Sequence, residues 1–399
     1  MTTFSRSHRA SSRRLSWDVI RVIAIVFVVT GHVTALAARV PGIEPYPVAF
    51  SAPFGTATLL VLSGYFIGPT IRRGAAGTWF RARLARVLPA YLVALLITYV
   101  SARLLVVGFN GWRHPPGLSG LLFGAPIVPA EPAPGTLPPW HVPDLADLIL
   151  HGTLLHLWNP DPYHRIDGSW WTMPIQVLAF AGAALLWRSR ARHRFRPHTV
   201  LWAVIGLSAA SPVLSLAIEV LPTASGFYYA HLFAVGLAIW LWQRDRLSTA
   251  HLVPMIIATI GLYAFRTGES VIVPVIGFTV MLALMCLAAK GPDWDVAVLR
   301  KLRRPIAWLS GISFGIYLIH QALGFQLARL LSEAGFGPWW LRLSVVVAFA
   351  VVLGWLVTVL VERPAYRVLT GSRPGKKRSV PEAQLRPSPE PTVSVGGAT

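Results

Sequence analysis

The stretch RVIAIVFVVTGH, residues 21–32, decides the fold, because it is apolar enough to lie in a membrane yet begins with Arg21 and ends with His32. An α-helix advances about 1.5 Å and about 100° per residue, so these two side chains lie about 16 Å apart along the axis and within about 20° of one face. Ionisable side chains at membrane depth usually face a bundle interior or a wet cavity, which makes both residues functional candidates. The structural alternative is that Arg21 reaches back to the headgroups and His32 is an interhelical hydrogen bonder.

Composition places the whole chain in the membrane class. Of its 399 residues, 54% are hydrophobic and 13% are charged, which excludes a soluble globular protein. The 36 basic residues outnumber the 16 acidic ones. They lie in short runs between apolar stretches and form no single basic face, so we expect a lipid bilayer and no nucleic acid as partner. The lone cysteine, Cys286, excludes an internal disulfide.

Crossing roughly 30 Å of hydrocarbon takes about 20 apolar residues per helix. The sequence therefore predicts an all-α polytopic membrane protein with about ten transmembrane helices, of which the short seventh and the adjoining eighth are the least distinct. The predicted spans cover residues 17–38, 48–68, 84–107, 169–187, 199–220, 227–243, 251–266, 271–289, 306–329 and 339–361.

Basic residues indicate the orientation. Lys and Arg accumulate in the termini and in alternate connections, so the positive-inside rule places both termini in the cytoplasm of a multi-pass cell-membrane protein. We expect a basic cytoplasmic segment at 1–16, a membrane domain at 17–366 with an external loop at 110–168, and a disordered cytoplasmic tail at 367–399. A signal peptide cleaved after ALA at 35–37 is the alternative for the first span, but the length and early charges of that span argue against cleavage.

The external loop is rich in Pro and Gly and holds one predicted short helix that begins at Asp144, an interfacial or re-entrant segment with leucines on one face. Its histidines lack a compact spacing and accompanying cysteines, so we expect solvated side chains and no metal site. Its tryptophans are expected to anchor the chain at the interface, with stacking on a sugar ring as the alternative. These residues are His114, His141, His151, His156 and His164, and Trp140, Trp158, Trp170 and Trp171.

Charged residues also collect at the predicted cytoplasmic ends of the spans. Asp18 stands three positions before Arg21, close enough for a helical ion pair. Arg83 and Arg86 lie on one face at the head of the third span, where they suit an anionic, phosphate-bearing ligand; anchoring by the positive-inside rule is the alternative. Glu362, at the end of the last span, is expected to pair with cytoplasmic arginines.

Six motifs follow one another over residues 17–366, and none of them is specific alone. They are WDVIRVIAIVFVVTGH, VLSGYFIG, FRARLARVLPAYL, GSWWTMPIQV, ISFGIYLIHQAL and VERPAY. In this order they resemble the acyltransferase-3 family of integral-membrane acyltransferases. That family is marked by an Arg and a His separated by ten residues in the first span, an Arg-x-x-Arg at the head of the third, and a closing Tyr-Leu-x-His.

The resemblance implies transfer of an acyl group, commonly acetyl, from cytoplasmic acyl-CoA to a hydroxyl of a carbohydrate or glycosylated acceptor at the outer side. One position departs from the family, because Gln176 stands where a glutamate is usual. An amide there could hydrogen-bond a histidine but could not stabilise an imidazolium. The residues that match the family's motifs are Arg21 and His32, Arg83 and Arg86, and Tyr317 and His320.

The expected mechanism uses His32 as the general base that takes the proton from an acceptor hydroxyl. Arg83, Arg86 and Arg21 would hold the phosphates of acyl-CoA while its pantetheine arm follows the first helix toward His32. The supporting set is Ser63, Thr172 and Tyr317 as candidate oxyanion donors, with Asp18, Gln176 and His320 in orienting or structural roles.

Two other functions stay open at this point. Arg21 and His32 could form the relay of a proton-coupled secondary transporter, although the sequence has no inverted repeat or matched Gly or Pro breaks. Because Gln176 replaces the usual glutamate, the chain could also be an inactive family member that acts as a scaffold. Acyl transfer by the purified protein would exclude this alternative.

Overall fold

The computed structural model describes residues 14–50, 53–72, 74–131, 135–159, 164–189, 194–217, 226–267 and 272–371. Most of the predicted basic segment (residues 1–13) and most of the predicted tail (residues 372–399) lie outside the described residues. Throughout the described ranges the chain forms helices and no β-strand, which confirms the predicted all-α class.

The described residues form long apolar helices and several shorter ones. The helices are α1 (Leu15–Gly31), α2 (Phe54–Ile71), α3 (Ala76–Phe109), α4 (Gly117–Phe123), α5 (Leu145–Gly152), α6 (Thr172–Arg188), α7 (Pro197–Ala217), α8 (Ala230–Gln243), α9 (Thr249–Thr267), α10 (Ile272–Lys290), α11 (Ala297–Lys301), α12 (Arg303–Ile319), α13 (Ala322–Glu333), α14 (Trp339–Val357) and α15 (Arg363–Thr370).

The number of spans agrees with the prediction of about ten. Within the described part of the chain, eight helices are long and apolar enough to cross a membrane, α8 is a shorter apolar helix, and α12 with α13 forms a ninth candidate. The least distinct predicted pair, 251–266 and 271–289, is present as the separate helices α9 and α10. Which side of the membrane the termini occupy stays a prediction.

The ninth predicted span, 306–329, is not one continuous helix. It is broken after α12 and bends by 71° into α13. The break has a tertiary cause, because the carboxylate of Asp167 accepts a hydrogen bond from the backbone N–H of Ala322 (2.9 Å). An acidic acceptor at this point caps the start of α13 as a separate helix, and the sequence periodicity of the span gives no sign of it.

Glycines let the central helices approach closely. A Cβ on Gly64 of α2 would meet the backbone of Phe233 in α8, and one on Gly315 of α12 would meet the backbone of Gly354 in α14. Small residues at such crossings replace the hydrophobic driving force that a bilayer does not provide. They bring α2 against α8 and α12 against α14, while α1 packs on both α2 and α12.

The start of α1 is fixed by the connection that follows α10. The carboxylate of Asp293 accepts hydrogen bonds from the backbone N–H groups of Leu15 and Ser16, both at 2.9 Å, and Arg14 donates to the carbonyl of Gly291 (2.7 Å). Burial alone would raise the pKa of Asp293, but the hydrogen bonds from Ser16 and Leu15 hold it below its ordinary value. This cap sets the position of α1, and with it the positions of Arg21 and His32.

Candidate active site

Two histidines from different helices meet at the centre of the candidate site. His32 follows directly after α1, and His320 stands at the break between α12 and α13. The Nδ1 atom of His32 lies 2.6 Å from Nε2 of His320, with the ring centres 4.8 Å apart. His320 is fully buried, whereas His32 is half-buried.

The hydrogen-bond partners assign the tautomers of this pair. Nδ1 of His320 lies 2.8 Å from the carbonyl oxygen of Tyr317, which can only accept, so this nitrogen carries the proton. In a neutral imidazole the other nitrogen then accepts, so Nε2 of His320 accepts the Nδ1–H of His32. By this assignment the lone pair of His32 is on Nε2, which is the arrangement that a general base requires.

A short segment before α6 holds the end of α12 in place. The hydroxyl of Tyr317 donates to the carbonyl of Ser169 (2.6 Å). Because that bond uses the tyrosine proton, the hydroxyl of Thr172 is the donor in its 2.8 Å contact with Tyr317. Two of the three predicted oxyanion donors, Thr172 and Tyr317, thus contact each other, and the Tyr317 ring centre lies 5.7 Å from that of His320. The protons of both hydroxyls are engaged inside the protein.

Asp167 makes the second connection to the helix break. Besides the N–H of Ala322, its carboxylate accepts hydrogen bonds from the N–H (2.7 Å) and hydroxyl (2.6 Å) of Ser169. Asp167 is not among the residues predicted for the site. The available signal was local, because Asp-Gly-Ser immediately before an apolar span is typical of a helix N-cap.

Trp170 belongs to the protein interior and not to a membrane interface or a sugar platform. It is fully buried, its indole N–H donates to the carbonyl of Leu318 (3.1 Å), and its ring meets Tyr91 edge-on at 5.3 Å. The prediction that it anchors the chain at the interface is therefore wrong, because tertiary packing against α3 and α12 covers the ring.

A cavity of about 190 Å³ opens beside His32. It is also lined by Gly31, Leu36, Arg39 and Pro53, among others. The lining segment His32–Leu36 is a π-helical turn, a geometry that often occurs at functional sites. Arg39 is the positive charge of this lining.

Two of the three predicted phosphate-binding arginines, Arg83 and Arg21, lie close together. Arg83 donates to the carbonyl of Phe66 (3.0 Å) and the hydroxyl of Thr70 (2.6 Å). The guanidinium of Arg21 lies 5.6 Å from the centre of the Phe66 ring, so both cations lie beside the same residue of α2.

Arg86 has a different partner, although it is only one helical turn from Arg83. Its Nε lies 3.3 Å from the carboxylate of Glu362, and its side chain is 50% exposed. The expected pairing of Glu362 with an arginine is confirmed. Arg86 nevertheless keeps enough exposure to contact a ligand.

The remaining predicted positions are not joined to His32. Asp18 is buried and accepts a hydrogen bond from the hydroxyl of Ser310 (2.7 Å), while its ion pair with Arg21 stays a prediction. Ser63 donates to the carbonyl of Leu59 in its own helix (3.0 Å). Gln176 is half-buried, and among the described residues the ring of His32 is hydrogen-bonded to His320 and not to this amide.

The histidines of the external loop are not solvated as a group. His151 and His156 are buried and their rings stack with centres 4.2 Å apart. His141 and His164 both contact the carboxylate of Asp147, at 2.7 and 3.1 Å. The expectation of solvated side chains is wrong for His151 and His156, which are buried, whereas His141 and His164 stay partly exposed. Helix α5 brings together positions that are far apart in sequence.

The predicted start of α5 is confirmed. The side chain of Asp144 accepts a hydrogen bond from the N–H of Asp147 (2.9 Å), and the side chain of Asp147 accepts one from the N–H of Asp144 (3.0 Å). This reciprocal cap fixes the first turn of the helix.

Comparison with known proteins gives one match. Residues 14–359 match the family model described as an acyltransferase domain. Neither the curated proteins nor the solved structures contain a match to the chain. The matched range includes the two histidines of the central pair, Arg21, Arg83 and Arg86.

Proposed function

We propose a function from the family to which the chain belongs, the acyltransferase-3 family. The proposed protein is a membrane O-acyltransferase that moves an acyl group from cytoplasmic acyl-CoA to a hydroxyl at the outer side of the membrane. The acyl group that we propose is acetyl. The acceptor class that we propose is a carbohydrate or a glycosylated small molecule. The observation that carries this proposal is the 2.6 Å contact of His32 with His320, which leaves Nε2 of His32 as a base beside a cavity.

In the proposed reaction, Nε2 of His32 takes the proton of the acceptor hydroxyl as its oxygen attacks the thioester carbonyl. A carbon–oxygen bond forms and the carbon–sulfur bond breaks. The proton then passes from the imidazolium to the departing CoA sulfur. The products are an ester and free CoA, so the step needs no further reactant.

The charge on the imidazolium needs a partner, because Gln176 cannot supply a negative one. The proposed partner is His320, which accepts the Nδ1–H of His32 and is itself polarised by the carbonyl of Tyr317. A carbonyl dipole thus takes the place of a carboxylate. Tyr317 and Thr172 act as positioning residues for His320 in this scheme.

The proposed donor site lies at the opposite end of α1. Arg21, Arg83 and Arg86 would hold the phosphates of acyl-CoA, and the pantetheine arm would extend along α1 over the roughly 16 Å that separates Arg21 from His32. The reactive thioester would then reach His32 while the phosphates remain at the cytoplasmic end.

The test compares acylated surface glycans and secreted metabolites by mass spectrometry in cells that carry the wild-type gene, no gene, His32→Ala or His198→Ala. His198 stacks on His251 with ring centres 4.2 Å apart and is the control for loss of a stacked histidine. We expect the acyl mass increment to disappear without the gene and in His32→Ala, and to persist in His198→Ala. Persistence in membrane-inserted His32→Ala would remove His32 from catalysis.

The donor site has its own test. Replacing Arg83 and Arg86 together by Ala should weaken acyl-CoA binding at least tenfold, because charge-assisted bonds to phosphate would be lost. Binding is measured by titration calorimetry on purified protein in detergent. Arg81→Ala is the matched control, since Arg81 is exposed on the same turn of α3. Equal affinity in the double variant and the control would exclude these arginines as phosphate ligands.

A further inference from the structure

We propose that the external loop contains a binding site for a divalent transition metal, Zn²⁺, formed by His141, Asp147 and His164. Nε2 of His141 lies 2.7 Å from one carboxylate oxygen of Asp147, and Nδ1 of His164 lies 3.1 Å from the other. The three possible ligand atoms all lie within 4.8 Å of one another. The site is separate from the His32 and His320 pair and does not depend on the proposed acyl transfer.

Charge is the first argument for a cation here. The side chain of Asp147 is fully buried, and its hydrogen-bond donors are the two imidazoles and the N–H of Asp144. In the described ranges no Lys or Arg forms an ion pair with it. A buried carboxylate requires a compensating charge. His141 and His164 supply one only when they are protonated, whereas a metal ion between the three side chains supplies it with both imidazoles neutral.

The donor set is the second argument. Two imidazole nitrogens and one carboxylate oxygen are typical ligands of Zn²⁺, and three protein ligands leave a fourth position for water. Access is available, because the side chains of His141 and His164 are 25% and 39% exposed. Each ring must then carry its proton on the nitrogen that does not bind metal. The nitrogen and oxygen ligands must also separate to about 3.3 Å, the edge of a tetrahedron with bonds of about 2.0 Å.

The surroundings hold the central ligand in place. The reciprocal cap with Asp144 fixes the main chain at Asp147, and the carbonyl of Asp147 lies 2.8 Å from Nδ1 of His151. Ligands supported in this way lose little freedom when a metal binds. His164 lies three residues before Asp167, so a bound ion would link α5 to the segment that holds the end of α12.

The experiment measures metal stoichiometry. The full-length protein is purified in detergent with an affinity tag that contains no histidine, stripped with a chelator, equilibrated with Zn²⁺ and dialysed. Elemental mass spectrometry should find one more Zn²⁺ per chain in the wild type than in His164→Ala. His114→Ala is the matched control from the same loop and should retain the wild-type stoichiometry. Equal zinc content in the wild type and His164→Ala would overturn the site.

Cobalt gives a readout that does not depend on how tightly zinc is retained. Co²⁺ in a tetrahedral nitrogen and oxygen site has visible absorption, which we expect in the wild type and in His114→Ala. The near-isosteric variants His141→Gln and Asp147→Asn should lose that absorption while they elute from gel filtration as the wild type does. Absorption that survives in folded Asp147→Asn would contradict the assignment.

Discussion

Two stacked histidine pairs in this molecule look alike as ring contacts and differ in what they can do. The His32 and His320 rings have centres 4.8 Å apart, and the His198 and His251 rings have centres 4.2 Å apart. Only the first pair, among these two, is joined nitrogen to nitrogen and continues to a carbonyl. The difference teaches that ring stacking alone contributes only packing, whereas a chain of hydrogen bonds determines which ring nitrogen is basic.

The largest effect should come from replacing His320, the buried member of this hydrogen-bond chain. His320→Leu leaves Nδ1 of His32 without its acceptor and should lower kcat about 100-fold. Without that hydrogen bond, neither the tautomer nor the ring orientation of His32 is fixed. His320→Gln offers a side-chain oxygen to the same N–H and should recover part of the rate. His251→Leu should change kcat less than about twofold, which separates the two pairs.

The measurement is steady-state acyl transfer by purified protein, with a pH profile for each variant. We expect His320→Leu to change the profile as well as the rate, since the base would no longer be polarised. If the Gln and Leu variants lose the same activity and keep the wild-type profile, His320 contributes packing only and the two pairs are equivalent.

A smaller effect should follow from loosening the support of the first pair at Asp167. Asp167→Asn keeps the shape but replaces one acceptor oxygen by a donor, which leaves a buried N–H of Ala322 or Ser169 unsatisfied at a cost of about 1–3 kcal/mol. We expect kcat to fall about tenfold with little change in the KM for acyl-CoA. Ser169→Ala, which removes only the hydroxyl bond, should have a lesser effect. A change in KM alone would contradict a positioning role.

The smallest effect on acyl transfer concerns a third stacked pair, His151 and His156, whose contribution to the stability of the loop should depend on pH. Burial, and after it the neighbouring His151 and Arg165, lower the pKa of His156 to about 3 from its ordinary 6.5. Between about pH 3 and pH 6.5 the unfolded loop binds more protons than the folded loop. The contribution of His156 to the stability of the loop is therefore fully present above pH 6.5 and is lost as the pH falls. The weakening is at most about tenfold per pH unit for this histidine.

Limited proteolysis of the loop between pH 4 and pH 7 checks this prediction. His156→Phe keeps an aromatic ring beside His151 but removes the titration, so its cleavage rate should depend less on pH than that of the wild type. An identical pH dependence in the two proteins would assign the effect to other groups.

Most of the fold could be predicted from the sequence, because the length and apolarity of the spans are local properties. The lone break in the 306–329 span could not, since it depends on Asp167, a residue 155 positions before Ala322. The same reason explains the external loop, where α5 and the residues after it bury histidines that carry no signature in their spacing.

For the candidate site, the sequence predicts individual residues and leaves their mutual contacts open. His32 and Arg21 follow from their depth and shared helix face, and Arg83 and Arg86 from charge at a helix end. That His320 touches His32 depends on the crossing of α1 and α12, which sequence spacing does not encode. Asp167 was missed because a single acidic residue beside a span is more often a simple helix cap.

The break between Ile319 and Ala322 has a consequence for how this protein can diversify. Because the span is divided at His320, α13 lies at 71° to α12, and a substitution within α13 need not change the direction of α12 or the position of the His320 ring that follows it. The distance from Arg21 to His32 is set by α1 and does not depend on α13. The histidine pair therefore depends on α1 and α12, and the residues of α13 can vary independently of it.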